Sequence, residues 1–208
     1  MGDLVDALLR LVPVALFRSD KTVTDQAAKL GRELDRLYEA VEVYLAKLDS
    51  ADLTERDMTR LSDLVEFAVN LGHAGDILER DIIRAPTRRI DGFGDTDRDV
   101  VSRVHARVAA DLRLALSTMM TEDDRSAHKL LDAKRELNEF ERAAAREHIA
   151  RLGGADPAAL AASTLFLSVL RDLKRVNSHL ATIGYAVTSS IGPSHSDRLV
   201  SPSEEVGG

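Results

Sequence analysis

The feature that most constrains the fold is an apolar stripe with helical spacing between residues 23 and 48. Eight apolar residues recur there on steps of three and four, which places them on one face of an α-helix. They are Val23, Ala27, Leu30, Leu34, Leu37, Val41, Leu45 and Leu48. A strand would show strict alternation instead, and no segment of the chain has that pattern. The stripe therefore predicts a long helix with one buried face.

The same spacing predicts five further helices along the chain. They cover residues 3–18, 54–83, 97–120, 123–152 and 157–189. Because long helices joined by short connections pack as antiparallel neighbours, we expect an all-α fold of six helices. It would consist of two antiparallel three-helix bundles in tandem. Their predicted bounds are 1–86 for the first bundle, 87–96 for a linker, 97–190 for the second bundle and 191–208 for a disordered tail.

Composition excludes several classes of function. The chain has 208 residues and a net charge of -7, with no run of basic residues, so we expect no nucleic-acid partner. Cysteine is absent, which removes disulfides and thiol chemistry. The longest apolar run, LVPVALF at residues 11–17, is too short to span a bilayer. No nucleophile–base–acid pattern and no phosphate loop is visible, so we expect no enzymatic activity.

The third and sixth predicted helices carry similar polar residues, which suggests an internal duplication. Asn70, His73 and Asp76 stand on the third helix. Asn177 and His179 stand on the sixth, and Asn177 follows Asn70 by 107 residues, which is the length of one three-helix unit.

The sixth helix carries an unusual polar set for a helix that otherwise reads as core. Asp172, Arg175 and His179 share one stripe, on steps of three and four. Asn177 borders the apolar stripe, where it would fix helix register by hydrogen bonding. We interpret these four residues, with Asn70, as partner or interface candidates. A solvated polar face without a partner is the alternative. A binding site for an anion such as phosphate is a further alternative, which the negative charge of Asp172 opposes.

Some single residues have simpler interpretations. Gly72 and Gly75 on the third helix are expected to allow close helix packing. The histidines His105, His128 and His148 fall on charged helices without a shared ligand spacing, so we expect them on the surface.

Several of these segments resemble the PhoU family of helical phosphate-regulation domains. The chain looks closest to the cytoplasmic PhoU domain of bacterial sodium/phosphate cotransporters. The specific match is LRDLKRVNSHLATIGYAV at residues 170–187. Supporting matches are NLGHAGDIL, HKLLDAKREL and FERAAAREHIARL. The resemblance spans residues 1 to 187 and implies two three-helix bundles.

The resemblance also implies a test for metal binding. PhoU proteins carry Glu-x-x-x-Asp on the third and sixth helices, and some hold multinuclear metal clusters there. In this chain Gly72 takes the place of the first Glu, and Lys174 and Ser178 take both positions on the sixth helix. An ammonium group donates no lone pair to a cation. We therefore expect no cofactor and no metal cluster, with Asp76 and His73 as weak candidates for a single ion.

Three functions follow from the resemblance. The first is a cytoplasmic regulatory domain of a sodium-dependent phosphate cotransporter, docking on the transporter domain of its own or another chain. The second is a free-standing PhoU-like regulator that binds a phosphate-signalling protein. A metal-binding module is the alternative of another class, and a homodimer is a further possible assembly.

The lengths of the first two predicted helices bear on localisation. Residues 3–18 offer about four turns and residues 23–48 about seven, whereas bundle partners usually match. We therefore expect Met1 to be an internal residue of a longer membrane protein with several apolar spans upstream. The segment itself would be soluble, at the cytoplasmic face of the inner membrane.

Overall fold

Helices make up every regular element in the part of the chain that the computed structural model describes. That part comprises residues 1–18, 22–47, 53–84, 94–152 and 157–190. The elements are α1 (Gly2–Phe17), α2 (Thr22–Leu45), α3 (Glu55–Asp76) with a π-helical continuation (Ile77–Ile83), α4 (Asp95–Thr121), α5 (Asp124–Arg151), α6 (Pro157–Leu180) and α7 (Thr182–Ser190). Because α6 and α7 are separated only by Ala181 and together correspond to the sixth predicted helix, the all-α, six-helix prediction is confirmed.

The predicted linker and tail fall largely outside the described residues. Residues 85–93 and 191–208 are not among them. Gly94 is the N-cap of α4, so the last two residues assigned to the linker, 95 and 96, belong to that helix. Thr54 begins α3 with a capping box, in which its hydroxyl accepts from the backbone N–H of Asp57 and its own N–H donates to the Asp57 carboxylate.

The end of the third predicted helix is a π-helix rather than a continued α-helix. Its buried apolar residues come in two adjacent pairs that lie five positions apart: Ile77 with Leu78, and Ile82 with Ile83. A π-helix closes its hydrogen bonds between residues five apart, so both pairs face the core. In an α-helix the second pair would rotate away from the first. The spacing of these four residues accounts for the change that the helical pattern alone did not predict.

Among the described helices, two of the pairs that join the first half of the chain to the second are α1 with α4 and α3 with α6. In the first pair, α1 runs antiparallel to α4. Its Leu9 carbonyl accepts a hydrogen bond from Nε2 of His105 at 2.8 Å, and the Arg98 guanidinium lies 5.6 Å from the centre of the Phe17 ring. In the second pair, α3 and its π continuation pack against α6. Apolar residues of both halves thus belong to one buried cluster.

The two glycines of the third helix differ in their surroundings. A Cβ added to Gly75 would lie 2.1 Å from Cδ2 of Leu34, so α2 approaches α3 closely there. A Cβ added to Gly72 would meet nothing within 4 Å. Close packing of α2 on α3 therefore accounts for the glycine at position 75. The expectation that Gly72 also allows close packing is wrong, because that position faces open space.

The apolar stripe of α2 is buried along only part of the helix. Val23, Ala27 and Leu34 are buried. Farther along the same stripe, Leu37 is 43% exposed, and Tyr44 on that face is 64% exposed. Leu48 lies outside the described residues. The face that the sequence predicts as buried therefore divides into a packed first half and an open second half.

Candidate functional site

The polar residues predicted on the third and sixth helices meet along a line that we call the α3–α6 seam. It is formed by Asn70, His73 and Asp81 on α3 and its π continuation, and by Asp172, Arg175 and His179 on α6. These residues come from opposite halves of the chain and stand about 100 positions apart in sequence. The seam is therefore an interface within the molecule.

At one end of the seam, Asn70 and His179 form a directional hydrogen bond. The Asn70 Nδ2 donates to the carbonyl oxygen of Glu66 at 2.8 Å, which turns its Oδ1 toward α6. His179 Nδ1 lies 2.8 Å from that Oδ1. Because an amide oxygen only accepts, His179 carries its proton on Nδ1 and donates it.

A second histidine stands beside this pair. The rings of His73 and His179 are 5.4 Å apart between centroids and tilted by 41°. Burial lowers the pKa of His179, and the nearby His73 and Arg175 lower it further. Each of these influences disfavours the cationic imidazole. The surroundings of His179 in the seam therefore favour its neutral form.

At the other end of the seam, Arg175 bridges the two halves. Its Nη1 lies 3.1 Å from Oδ1 of Asp172 on α6 and 3.1 Å from Oδ2 of Asp81 on the π continuation of α3. Asp172 is only 2% exposed and also accepts from Ser168 and Arg171. The Asp172–Arg175 pair that the sequence predicts thus exists, and the buried carboxylate accepts from three side chains.

Asn177 faces a different helix from the rest of the predicted set. It is 2% exposed, and its side chain faces Asp111 on α4, whose pKa it influences. Burial raises the pKa of Asp111 to about 6, although the polar side chain of Asn177 and the charge of Arg107 oppose this. Among the described residues, Oδ1 of Asn177 has no hydrogen-bond partner. The structure therefore places Asn177 in the core of the second half and outside the seam.

The positions that hold carboxylates in metal-binding PhoU proteins are occupied otherwise here. Lys174 Nζ forms an ion pair with Oε2 of Glu141 on α5 at 2.9 Å, and the Ser178 hydroxyl donates to the Lys174 carbonyl oxygen. Asp76 pairs with Arg80 at 3.0 Å. Within the described ranges, no three His, Cys, Asp or Glu side chains stand close enough to hold a metal ion. These residues do not fit a cluster, and the lack of a metal stays a prediction.

Sequence reasoning missed a buried hydrogen-bonded chain of three residues. His148 on α5 bonds through Nδ1 to Asp97 on α4 at 3.0 Å and through Nε2 to Ser163 on α6 at 2.9 Å. The imidazole also stacks on Phe166. His148 is 6% exposed, so its predicted surface placement is wrong. The missed signal is that it continues the apolar stripe of α5, four residues after Ala144.

This chain of three residues has the connectivity of a Ser–His–Asp triad, although none was predicted. The Ser163 hydroxyl is buried, so a substrate would not reach it. Ser163 also lies inside α6, where backbone N–H groups bond to helix carbonyls and are not free to stabilise an oxyanion. The arrangement therefore ties α4, α5 and α6 together.

Comparisons with known proteins agree with this architecture. The family model described as PhoU domain matches residues 101–187. The crystal structure of PhoU from Pseudomonas aeruginosa aligns with a TM-score of 0.79 at 18% identity, over 91% of each chain. The phosphate transport system regulatory protein PhoU from Streptococcus pneumoniae aligns with a TM-score of 0.76 at 15% identity, over 90% of this chain and 87% of that one.

Curated relatives are similar to this chain over part of their length. The Escherichia coli K12 protein named "Putative inorganic phosphate export protein YjbB" is 29% identical over 167 residues, and the Salmonella typhimurium protein of the same name is 28% identical over 162. The alignments cover 76% of this chain, which spans about 30% of the length of these relatives. None of the helices described here has the length and apolar character needed to cross a membrane.

Proposed function

The chain contains a PhoU-like domain, and from this premise we propose that it is the cytoplasmic regulatory domain of a sodium-dependent phosphate cotransporter. It would act at the inner face of the membrane by docking on the membrane-embedded part of the transporter. We propose that the domain catalyses no reaction itself and needs no metal or other cofactor. Its role would be to bias the conformation of a protein that moves phosphate.

One observation carries this proposal. The curated relatives are named for phosphate export, yet this chain spans only about 30% of their length. A PhoU-like fold within a much longer phosphate-export protein is the arrangement expected of a regulatory domain attached to a transporter. The identification of the cargo rests on those names, and the sodium coupling rests on the resemblance of residues 170–187.

The α3–α6 seam supplies a physical route for regulation. Along the seam, two polar contacts join the halves: the hydrogen bond between Asn70 and His179, and the Arg175 bridge to Asp81. Hydrogen bonds weaken steeply when their geometry is lost, so a partner that shifts one half would break these contacts together. In this proposal the seam would be either intact or broken, and a docked transporter would favour one of the two arrangements.

A transport experiment in cells tests the proposal. The native gene would be replaced by a version without residues 2–190, and by the variant Arg175→Ala. The control is Arg135→Ala, because Arg135 is also an exposed arginine in an ion pair but pairs with Asp132 inside α5. Radiolabelled phosphate flux should change on deletion, change in the same direction in Arg175→Ala, and stay unchanged in Arg135→Ala. Normal flux in cells whose deleted protein is present in the membrane would reject the role.

A free-standing regulator of phosphate uptake is the second candidate, and a specific observation favours it. The chain aligns with about nine-tenths of the length of two PhoU proteins whose structures are solved. A domain of that size needs no attached transporter to be a complete PhoU-like unit. In that case the partner would be a separate transporter or phosphate-signalling protein. Affinity purification of the native gene product, followed by measurement of its mass, separates the candidates.

A further inference from the structure

The two histidines of the α3–α6 seam are spaced like a pair that shares one metal ion. His73 lies on α3 and His179 on α6, and the centres of their rings are 5.4 Å apart. A metal ion bonds to an imidazole nitrogen at about 2.0–2.1 Å, which puts the ring centre about 3.2 Å from the ion. Two imidazoles on one tetrahedral ion therefore have their ring centres about 5.2 Å apart. The observed separation agrees with this value.

His179 presents a lone pair because its proton is held on the other ring nitrogen. Nδ1 donates to Oδ1 of Asn70 at 2.8 Å, so the lone pair of the neutral ring is on Nε2. This Nε2 makes no hydrogen bond to a described residue. In the described part of the chain, Oδ1 of Asn177 is the one buried side-chain nitrogen or oxygen atom without a hydrogen-bond partner. Nε2 of His179 is therefore open to solvent, where an ion can reach it.

Asn70 occupies the position of an outer-shell partner in a metal site. A histidine that binds a metal through one nitrogen almost always donates the N–H of the other to a carbonyl or carboxylate oxygen, which orients the ring. The amide nitrogen of Asn70 donates to the Glu66 carbonyl oxygen at 2.8 Å, so its Oδ1 is held toward His179. The orientation of the His179 ring is thus set by the protein itself.

The second imidazole is free to turn toward an ion. His73 is exposed and makes no hydrogen bond to a described residue, so rotation of its side chain breaks none there. Within the described ranges, no third His, Cys, Asp or Glu side chain joins the two rings in a group that could hold a metal. Water would therefore fill the remaining positions of an ion held by His73 and His179, and the ion would be exchangeable.

Two arginines stand near the histidine pair, and each already has a carboxylate partner. Arg175 lies 3.1 Å from both Asp172 and Asp81. Arg80 lies 3.0 Å from Asp76. An anion would have to displace these carboxylates, whereas a cation leaves them in place. Because the seam as described offers imidazole lone pairs but no unpaired guanidinium, its ligand is a metal ion and not an anion.

We propose that His73 and His179 together bind one divalent transition-metal ion of the zinc type, which fastens α3 to α6. Imidazole nitrogens suit zinc, copper and nickel, whereas magnesium and calcium take oxygen ligands. The site uses neither carboxylates nor a cluster, and the seam contacts of Asn70 and Arg175 use other atoms, so the domain needs no ion to fold or to dock. Zinc binding does not rest on the proposed function, whereas use of the ion as a signal to a transporter does.

Calorimetric titration of the full chain with Zn²⁺ tests the site. We expect one ion per chain and no binding of Mg²⁺ at the same concentrations. The unfolding temperature should rise with Zn²⁺ concentration, since an ion bound by the folded state alone stabilises it. His73→Gln should weaken Zn²⁺ binding by at least about tenfold, because one of two protein ligands is lost. This variant should keep the fold, since His73 is exposed.

Two substitutions of Asn70 separate a positioning role from a purely structural one. Asn70→Ala should weaken Zn²⁺ binding by about 10–100-fold, the usual effect of losing an outer-shell partner. Asn70→Asp keeps an oxygen that accepts from Nδ1 of His179, so it should restore Zn²⁺ affinity. Equal loss of affinity in the two variants would show that Asn70 does not act through its oxygen.

His128→Gln is the matched control variant. His128 is an exposed histidine on α5 in the other half of the chain, with a side chain that is 62% accessible and bonds only to Asp124 on its own helix among the described residues. The variant should bind Zn²⁺ as the unmodified chain does. Circular dichroism of every variant establishes that the helices are retained.

Several results would overturn the proposal. They are unchanged Zn²⁺ affinity in His73→Gln, equal loss of affinity in His128→Gln and His73→Gln, or equal affinity for Mg²⁺. Binding of several ions per chain without a rise in unfolding temperature would mean adventitious surface binding only. A failed transport experiment would remove the regulatory use of the ion, yet Zn²⁺ binding would be unaffected.

Discussion

His179 on α6 donates a hydrogen bond from Nδ1 to Oδ1 of Asn70 on α3, across 2.8 Å and 109 positions of sequence. The bond joins the two halves of the molecule at one end of the α3–α6 seam. Because each side chain is fixed by a second contact, Asn70 to the Glu66 carbonyl oxygen and His179 to the His73 ring, the bond specifies how α3 and α6 align.

Truncation of Asn70 or of His179 should lower the free energy of unfolding, and the two losses should not be additive. We expect Asn70→Ala and His179→Ala each to lower the free energy of unfolding by about 1 kcal/mol, the usual net value of one hydrogen bond. The double variant should lose less than the sum, since either single change already removes the bond. Urea unfolding at pH 7.5 measures all three variants. Additive losses would mean that the two side chains act independently.

The lowered pKa of His179 predicts a pH-dependent stability. Between the usual pKa of 6.5 and the lower folded value, the unfolded chain binds a proton that the folded chain does not. The free energy of unfolding should therefore fall as the pH is lowered through 6.5. His179→Asn keeps a donor near Nδ1 but does not titrate, so its unfolding free energy should fall less. A constant difference between the two proteins from pH 5 to 8 would contradict this.

Asp111→Asn should stabilise the protein at neutral pH. The pKa of Asp111 rises from 3.8 to about 6 in the folded state, so its ionised form is disfavoured there by about 3 kcal/mol at most. An amide removes this cost and can donate to the unpartnered Oδ1 of Asn177. We expect a gain of about 1–3 kcal/mol at pH 7.5 that shrinks toward pH 4, where the folded carboxyl is protonated and the unfolded one is partly protonated.

Urea unfolding at the two pH values measures this effect. The sign follows from proton binding: between pH 4 and 6 the folded chain holds more protons than the unfolded one, so its stability falls as the pH rises. A variant that is less stable than the unmodified protein at pH 7.5 would show that the charge of Asp111 is needed.

Gly75 and Gly72 offer a matched pair of glycine substitutions on one helix. Alanine at Gly72 meets nothing and should raise the free energy of unfolding by about 0.5–1 kcal/mol through helix propensity. Alanine at Gly75 would overlap Leu34 and should lower it, because overpacking typically costs about 1–3 kcal/mol. Thermal unfolding of the two variants checks the prediction. Equal shifts of the unfolding temperature in the same direction for the two variants would show that α2 can move away from α3.

The sequence predicts the elements of this fold well because helical spacing is a local property. The six helices and the pairing of Asp172 with Arg175 follow from steps of three and four. The partners of these residues do not, because a stripe gives the face of a helix but not the helix opposite. His179 and Asn177 are two positions apart, yet one faces α3 and the other faces α4.

Burial was harder to predict than secondary structure. The apolar pattern of α2 continues past Leu34, yet Leu37 and Tyr44 are exposed. His148 was misplaced for the opposite reason, since a polar side chain on a charged helix can be buried when Asp97 and Ser163 satisfy both ring nitrogens. Both cases depend on contacts between segments that are distant in sequence.

Phosphate transport in reconstituted vesicles tests the central claim most directly. The vesicles would hold the native transport protein with or without this domain, and sodium-driven phosphate flux would be measured over a range of phosphate concentrations. A regulatory domain predicts that removing it changes the KM or the maximal rate, and that Arg175→Ala in the intact protein changes the same parameter. Identical flux curves for the intact and the shortened protein at every phosphate concentration would contradict the account.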